Sequence, residues 1–304
     1  MSNMTDVAEQ QCDQQRCDGA MDKLLQPKAK DLGGFSVRRL LPTVGQKMLG
    51  PWVFFDHMGP ARFDAGSGIN VRPHPHIGIA TVTYLFEGEI LHRDSLGNTQ
   101  PIRPGDINLM VAGRGIAHSE RERPEITAAA HTLHGLQLWF ALPEHDEEIA
   151  PAFHHYPSAD IPAVSVDGVP VRVMMGSAYG VTSPVRMFSE TLYVEAHLQP
   201  GQTLMLPVAE ELGVYVASGA LTIEGGAVPE HGMAVLGSGK AVAVRAEVES
   251  RVAMIGGKRL SPRFIEWNFV SSRQERIEQA KQAWRDGGFD KVVDDEHEFI
   301  PLPG

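Results

Sequence analysis

Cysteine is nearly absent from this chain: Cys12 and Cys17 are the only two in 304 residues, and both lie in the N-terminal tail. That excludes a disulfide framework and fits a reducing compartment. A C-x4-C pair alone makes no metal site, so a solvated tail is the simpler reading of it. Basic residues are also scarce, 27 against 38 acidic, for a net charge of −11. Broad binding to nucleic acid or to anionic membrane rests on basic patches, so direct nucleic-acid binding and membrane attachment are not expected. No apolar run is long enough to cross a bilayer, and no basic-then-apolar signal opens the chain. A cytoplasmic location is the expectation.

Glycine and proline are plentiful, 31 and 21, and 42% of residues are hydrophobic. Together they indicate a turn-rich, mostly β architecture with real cores, in a chain long enough for two domains. Residues 1–32 are polar and read as a disordered leader. From Phe35 onward, short apolar stretches alternate with Gly and Pro turns. Examples are Trp52–Phe55, Ile79–Phe86, Ile107–Val111 and Leu136–Leu142. A proline-rich patch containing Pro143, Pro151, Pro157 and Pro162 interrupts the pattern, which places a domain boundary near residues 150–165. Strand-like runs then resume.

The two halves are weak copies of one another. Thr83–Ile90 aligns with Val214–Leu221, and Gly105–Leu109 with Gly232–Leu236. An offset of about 130 residues is far longer than a solenoid repeat and indicates domain duplication. Ser271–Arg285 reads as a helix. Ser272 and Glu275 fit a capping box, Ile277, Ala280 and Trp284 an apolar stripe that would pack on a sheet, and Gly287 and Gly288 a stop. The acidic stretch Asp290–Glu298 reads as solvated.

The candidate chemistry lies in two short pieces, Arg72–His76 and Gly113–Glu120. Each carries two possible ligands separated by one residue: His74 with His76, and His118 with Glu120. On an extended strand, residues two apart face the same side, so each pair can aim into one cavity. Three imidazoles and a carboxylate suit a divalent transition metal. The spacing alone is weak evidence. With 13 histidines in the chain, composition alone gives about 0.5 H-x-H pairs by chance. Ordinary hydrogen-bonded histidines are the alternative. The second half places Met205 and Pro207, then Arg245 and Glu247, near the equivalent positions, so any site belongs to the first half. Asp56 and His57 could orient a ligand imidazole from behind, although a turn with Asp bonded to backbone is the simpler reading. Gly113 and Gly115 would supply a tight turn ahead of His118, and Arg114 between them reads as solvated. His92, His131, His134, His154 and His155 lack paired spacing and read as structural or exposed.

The stretches Pro73–Gly97, Arg103–Glu120, Leu133–Trp139, Trp267–Lys281 and Glu298–Pro303 together resemble the pirin family of the cupin superfamily. The resemblance covers residues 33–303. It implies an all-β bicupin: two antiparallel β-barrels of jelly-roll type with a short C-terminal helix. The chain then divides into a leader (1–32), an N-terminal metal-binding barrel (33–150), a C-terminal barrel without metal (151–270), and a helix with tail (271–304). The family's metal ligands carry over to His74, His76, His118 and Glu120. Gly68 and Gly88 match the general cupin pattern. The usual first-motif glutamate position falls at Thr81, and the carboxylate comes from Glu120, as in pirins. Iron(II) is the metal the family implies, with Cu, Ni, Mn, Co or Zn as alternatives.

The activity the resemblance implies is that of a quercetinase. Such an enzyme opens flavonols such as quercetin, or similar enols, with O2; here Glu120 would be both ligand and proton acceptor. A metal- or redox-responsive binding protein, acting on a transcription factor or metabolic enzyme as protein partner, is the alternative.

Overall fold

The computed structural model describes residues 14–16, 19–31, 35–237, 239 and 241–303. Cys12 and Cys17 lie outside them. Strand pairing within every sheet is antiparallel, and the strands form two barrels. In the N-terminal barrel, a seven-stranded sheet runs in the order Ala152–Tyr156, Ile107–Val111, Ile79–Glu87, His131–Ala141, Trp52–Phe63, Ser36–Leu41, Lys28–Asp31. It faces a four-stranded sheet in the order Asn70–His76, Ile116–Arg121, Ile90–Asp94, Thr99–Ile102. The C-terminal barrel repeats the plan with eight strands against four. This is the all-β bicupin with one short C-terminal helix that the sequence led us to expect.

The barrels share one core. Trp52, Phe55, Leu109 and Leu138 from the first pack in one buried cluster with Tyr193, Tyr215, Met233 and Ile255 from the second. The Trp52 indole N–H reaches the carbonyls of Leu192 (3.2 Å) and Gly256 (3.0 Å) across the junction. Burial of these large side chains is the main attraction between the barrels, since each fully buried apolar side chain contributes about 1.5–3 kcal/mol.

Four expectations need correction. Part of the supposed disordered leader is strand. Met21–Leu25 pairs with Met233–Leu236 in the C-terminal barrel, and Lys28–Asp31 pairs with Ser36–Leu41 in the N-terminal one. The apolar Leu24 and Leu25, both buried, supply the reason. The predicted capping box does not form. The helix Gln274–Arg285 starts after Arg273, with no side-chain cap, because the buried carboxylate of Glu147 takes the Ser272 N–H (2.8 Å) and hydroxyl (2.9 Å). The acidic tail is not simply solvated: Asp295 is buried and paired with Arg121. Asp56 and His57 lie in mid-strand rather than in a turn.

Asp56 accepts two hydrogen bonds from Arg39, at 2.8 and 2.7 Å, and both residues are buried. The guanidinium also sits 4.4 Å from the Phe54 ring centroid. Removing one partner leaves an uncompensated buried charge, so Arg39→Ala should destabilise the fold by about 3–5 kcal/mol. A urea-unfolding difference below about 1 kcal/mol would show that the pair is dispensable.

His57 faces the other barrel. Its Nδ1 lies 2.6 Å from the Tyr215 hydroxyl and its Nε2 lies 2.7 Å from His134 Nε2. Burial pushes its pKa down to about 2, with His134, His231 and Arg38 adding to the effect. Arg251 also bears on His134, and Glu230 on His231. A depressed histidine favours the neutral folded form. Its contribution is fully present above the unfolded pKa of about 6.5 and is lost as pH falls below it. At pH 4.5 His57 should therefore have removed about 2–3 kcal/mol of stability. A His57→Gln protein should lose much of this acid sensitivity; an unchanged pH slope of the unfolding midpoint would contradict the assignment.

Candidate metal centre

The ligand strands are built from alternation. On Asn70–His76, His74 and His76 point the same way, and on Ile116–Arg121 so do His118 and Glu120. The two strands pair directly, His118 opposite His74, which brings the imidazoles into one barrel interior. The register shifts between His118 and Glu120, a bulge of the kind that re-aims a side chain beside an active site. Gly113, at φ +50, makes the turn before His118; a Cβ there would lie 2.1 Å from the Ile149 carbonyl oxygen.

One nitrogen each from His74, His76 and His118 lies within 4.8 Å of the others, and all three residues are only 1–2% exposed. The outward nitrogens are fixed. His74 Nδ1–H donates to the Arg72 carbonyl at 2.9 Å, and His76 Nδ1–H to that of Asn268 at 3.1 Å. Each bond selects the tautomer whose Nε2 carries the lone pair. Trp139 packs edge-on against His76 at 4.8 Å and is itself stacked on Phe54.

Among the described residues, neither ring nitrogen of His118 has a hydrogen-bond partner, and neither does Glu120 Oε1. Leaving such groups buried and unpaired costs about 1–3 kcal/mol each. A cation bound among them would take up one nitrogen of His118 and draw in the Glu120 carboxylate, so the donor set fits a metal ion. Burial holds His118 and His74 well below the usual imidazole range and pushes His76 down to about 3, so all three are neutral donors at pH 7. Glu120 is buried on the same strand face but stands outside the 4.8 Å group. Burial raises its pKa.

One residue was missed. His92 is buried, lies opposite Glu120 across the strand pair, and has its ring 5.3 Å from that of His118. Its Nε2–H donates to Asp94 at 3.0 Å. Burial pushes the Asp94 carboxyl up, but hydrogen bonds from His92 and Asn98 outweigh this and hold it below its usual value. The signal was the spacing of His92 and Asp94, two apart on one strand. Three of the other single histidines serve structural contacts: His131 pairs with Glu122, His155 with Asn108, and His134 with His57. Arg114 is exposed, as expected, and Asp56 and His57 serve the contacts described above.

Comparison with known proteins shows the family. The pirin family profile matches residues 34–140, and that of the pirin C-terminal cupin domain matches residues 193–290. The chain belongs to the pirin family. It is 46% identical over 288 residues to a pirin-like protein of Caulobacter vibrioides, covering 93% of this chain and 99% of that protein. It is 34% identical to human pirin over 85% of this chain and 90% of that one. Among solved structures, a quercetin 2,3-dioxygenase from Acinetobacter baumannii superposes with a TM-score of 0.86 at 33% identity, covering 92% of this pirin and 94% of that chain. No helix among the described residues is long and apolar enough to cross a membrane.

Proposed function

We propose that this pirin is a metal-dependent dioxygenase of the quercetinase type. One observation carries the reading: a buried three-histidine centre with orphaned donors, in a chain similar throughout to a protein named quercetin 2,3-dioxygenase. His74, His76, His118 and Glu120 hold one divalent ion, with iron(II) as the preferred metal. Glu120, buried on the same face with an unpartnered Oε1, would be the fourth ligand. Held by these residues, the ion would supply Lewis acidity toward an enolate oxygen and a route to O2 chemistry.

The chain's own residues do the rest. Glu120 accepts the hydroxyl proton of the flavonol, and the His92–Asp94 pair opposite it fixes the polar wall. Trp139 and Phe54 offer an apolar wall. The reaction inserts both atoms of O2, opens the central ring and releases carbon monoxide. Because the ligands are 1–2% exposed, a flavonol must displace covering chain to enter. We place the protein in the cytoplasm, where iron(II) stays reduced.

The test is anaerobic loading with iron(II), followed by O2 uptake and carbon monoxide release with quercetin. Uptake matched by carbon monoxide supports the reading. Fully loaded protein that consumes no O2 with any flavonol would replace it with the metal-responsive binding role.

A further inference from the structure

Residues 264–303 belong to neither barrel's sheets, yet they dock on the strands that carry the candidate metal ligands. Asn268, in the turn between Phe264–Glu266 and Phe269–Ser271, supplies the carbonyl that fixes His76. The segment after the helix then crosses the four-stranded sheet in order. Val293 N–H donates to the Asp94 carbonyl, at the end of Ile90–Asp94. Asp295 takes two hydrogen bonds from Arg121, at 2.6 and 2.7 Å, on the central strand. Glu298 takes a third from Arg121, at 2.9 Å. Ile300 N–H donates to the Pro73 carbonyl, at 2.8 Å, on the strand of His74 and His76.

Arg121 follows Glu120 directly and, by alternation, projects to the opposite face. It therefore ties down the outer face of the strand that carries His118 and Glu120, and it also bonds Asn70 on the neighbouring strand, beside the irregularity that precedes His74. Beyond these bonds, the Trp284 indole N–H donates to the Ile300 carbonyl at 3.0 Å and Phe299 packs edge-on against the Trp284 ring, but the segment buries little of itself. Val292 and Asp295 are buried, while residues 293, 294 and 296–299 are exposed. Such a segment opens locally at lower free energy than the barrel beneath it.

We propose that residues 292–300 are a strap coupled to the metal centre. Arg121 and Asp295 are positioning residues that hold the ligand strands at metal-binding spacing, so metal binding and strap docking stabilise each other. The proposal rests on the metal-site reading and not on the oxygenase reading. Coupling of this kind is reciprocal. Partners behind metal ligands typically change affinity by about 10–100-fold when removed. If undocking weakens metal binding by that factor, bound metal makes undocking rarer by the same factor.

Two arms test this with nickel(II), which avoids oxygen chemistry. In the full-length protein, trypsin can cut after the exposed Lys291, at the head of the strap. Where cleavage tracks the opened population, saturating nickel should slow release of the peptide beyond Lys291 by about 10-fold or more. This arm needs no variant. In the second arm, Asp295→Asn with Glu298→Gln should weaken nickel affinity by about 10-fold or more, while the metal-free melting midpoint stays close to wild type. Arg121→Asp combined with Asp295→Arg should recover part of that affinity; a purely structural role would move the midpoint and leave the affinity of folded protein unchanged. Equal cleavage with and without nickel, or unchanged affinity in the Asn/Gln variant, would overturn the proposal. Wild-type protein that binds no nickel would remove the metal-site reading and the strap with it.

Discussion

Replacing His118 by alanine should abolish stoichiometric metal binding and leave the metal-free fold standing. Both ring nitrogens of His118 are buried without a hydrogen-bond partner among the described residues, so the metal-free protein gains no such bond from the imidazole. Truncation therefore removes packing but breaks no polar network. The barrel also keeps separate apolar clusters, one containing Met58, Leu85 and Leu133 and another containing Phe54, Ile79 and Trp139. Metal content after anaerobic loading should fall from about one ion per chain to below about one-tenth. That loss follows because the site loses one of the three imidazoles that lie together, and two histidines with one carboxylate fall short of the four or more ligands such ions favour.

Stability gives an independent readout. Free metal at about 100 times its Kd should stabilise the wild-type protein by about 2.7 kcal/mol. The same metal concentration should leave the His118→Ala midpoint unmoved. His131→Ala is the matched control, because His131 pairs with Glu122 outside the cluster and should retain full metal. A His118→Ala protein that still carries one ion per chain, or is stabilised by metal as wild type is, would refute the assignment of the centre.

The ligand strands were legible because strand alternation has period two. His-x-His and His-x-Glu beside β-branched runs state both the element and the face, and the pairing of His118 with His74 then closes the set. The repeat of the two halves was legible for the same reason, since turn glycines and apolar runs recur in register. What the sequence hid was long-range. Glu147 takes the Ser272 N–H and hydroxyl from more than a hundred residues away, and this outcompetes a local capping box that looked complete. Arg121 and Asp295 are 174 residues apart, so an acidic tail that reads as solvated is in fact a docked segment. His92 looked like one more isolated histidine because its partner in the site, Glu120, is opposite only through strand pairing. Asp56 looked like a turn residue because its neighbours Phe54–Gly59 end in glycine; the buried Arg39 that makes a mid-strand carboxylate tolerable lies on another strand. In each case the local pattern was sound, and a distant charged or polar partner decided the outcome.

Glu120→Gln should separate the two roles assigned to this carboxylate. Glu120 is 1% exposed, its Oε1 has no partner, and it lies opposite His92 on the interior face. Burial raises its pKa in the metal-free protein, and a bound cation acts in the opposite direction by favouring the charged form. Metal affinity should therefore fall as pH drops, because at low pH the ion must displace a proton. Glutamine keeps the size and one acceptor oxygen but removes the charge and the basicity. The variant should hold metal more weakly and lose its pH dependence at this position, while the three neutral histidines still provide a site. At saturating metal, flavonol-dependent O2 uptake per bound ion should drop by about 10²-fold or more, the scale of a lost general base. Rate must be normalised to bound metal, since a fall in both together would mark a ligand and nothing else. A metal-saturated Glu120→Gln protein that turns over flavonol at the wild-type rate would eliminate proton acceptance by Glu120. The proton would then have to leave through another group on the same face, and His92, held by Asp94, is the residue placed to take it.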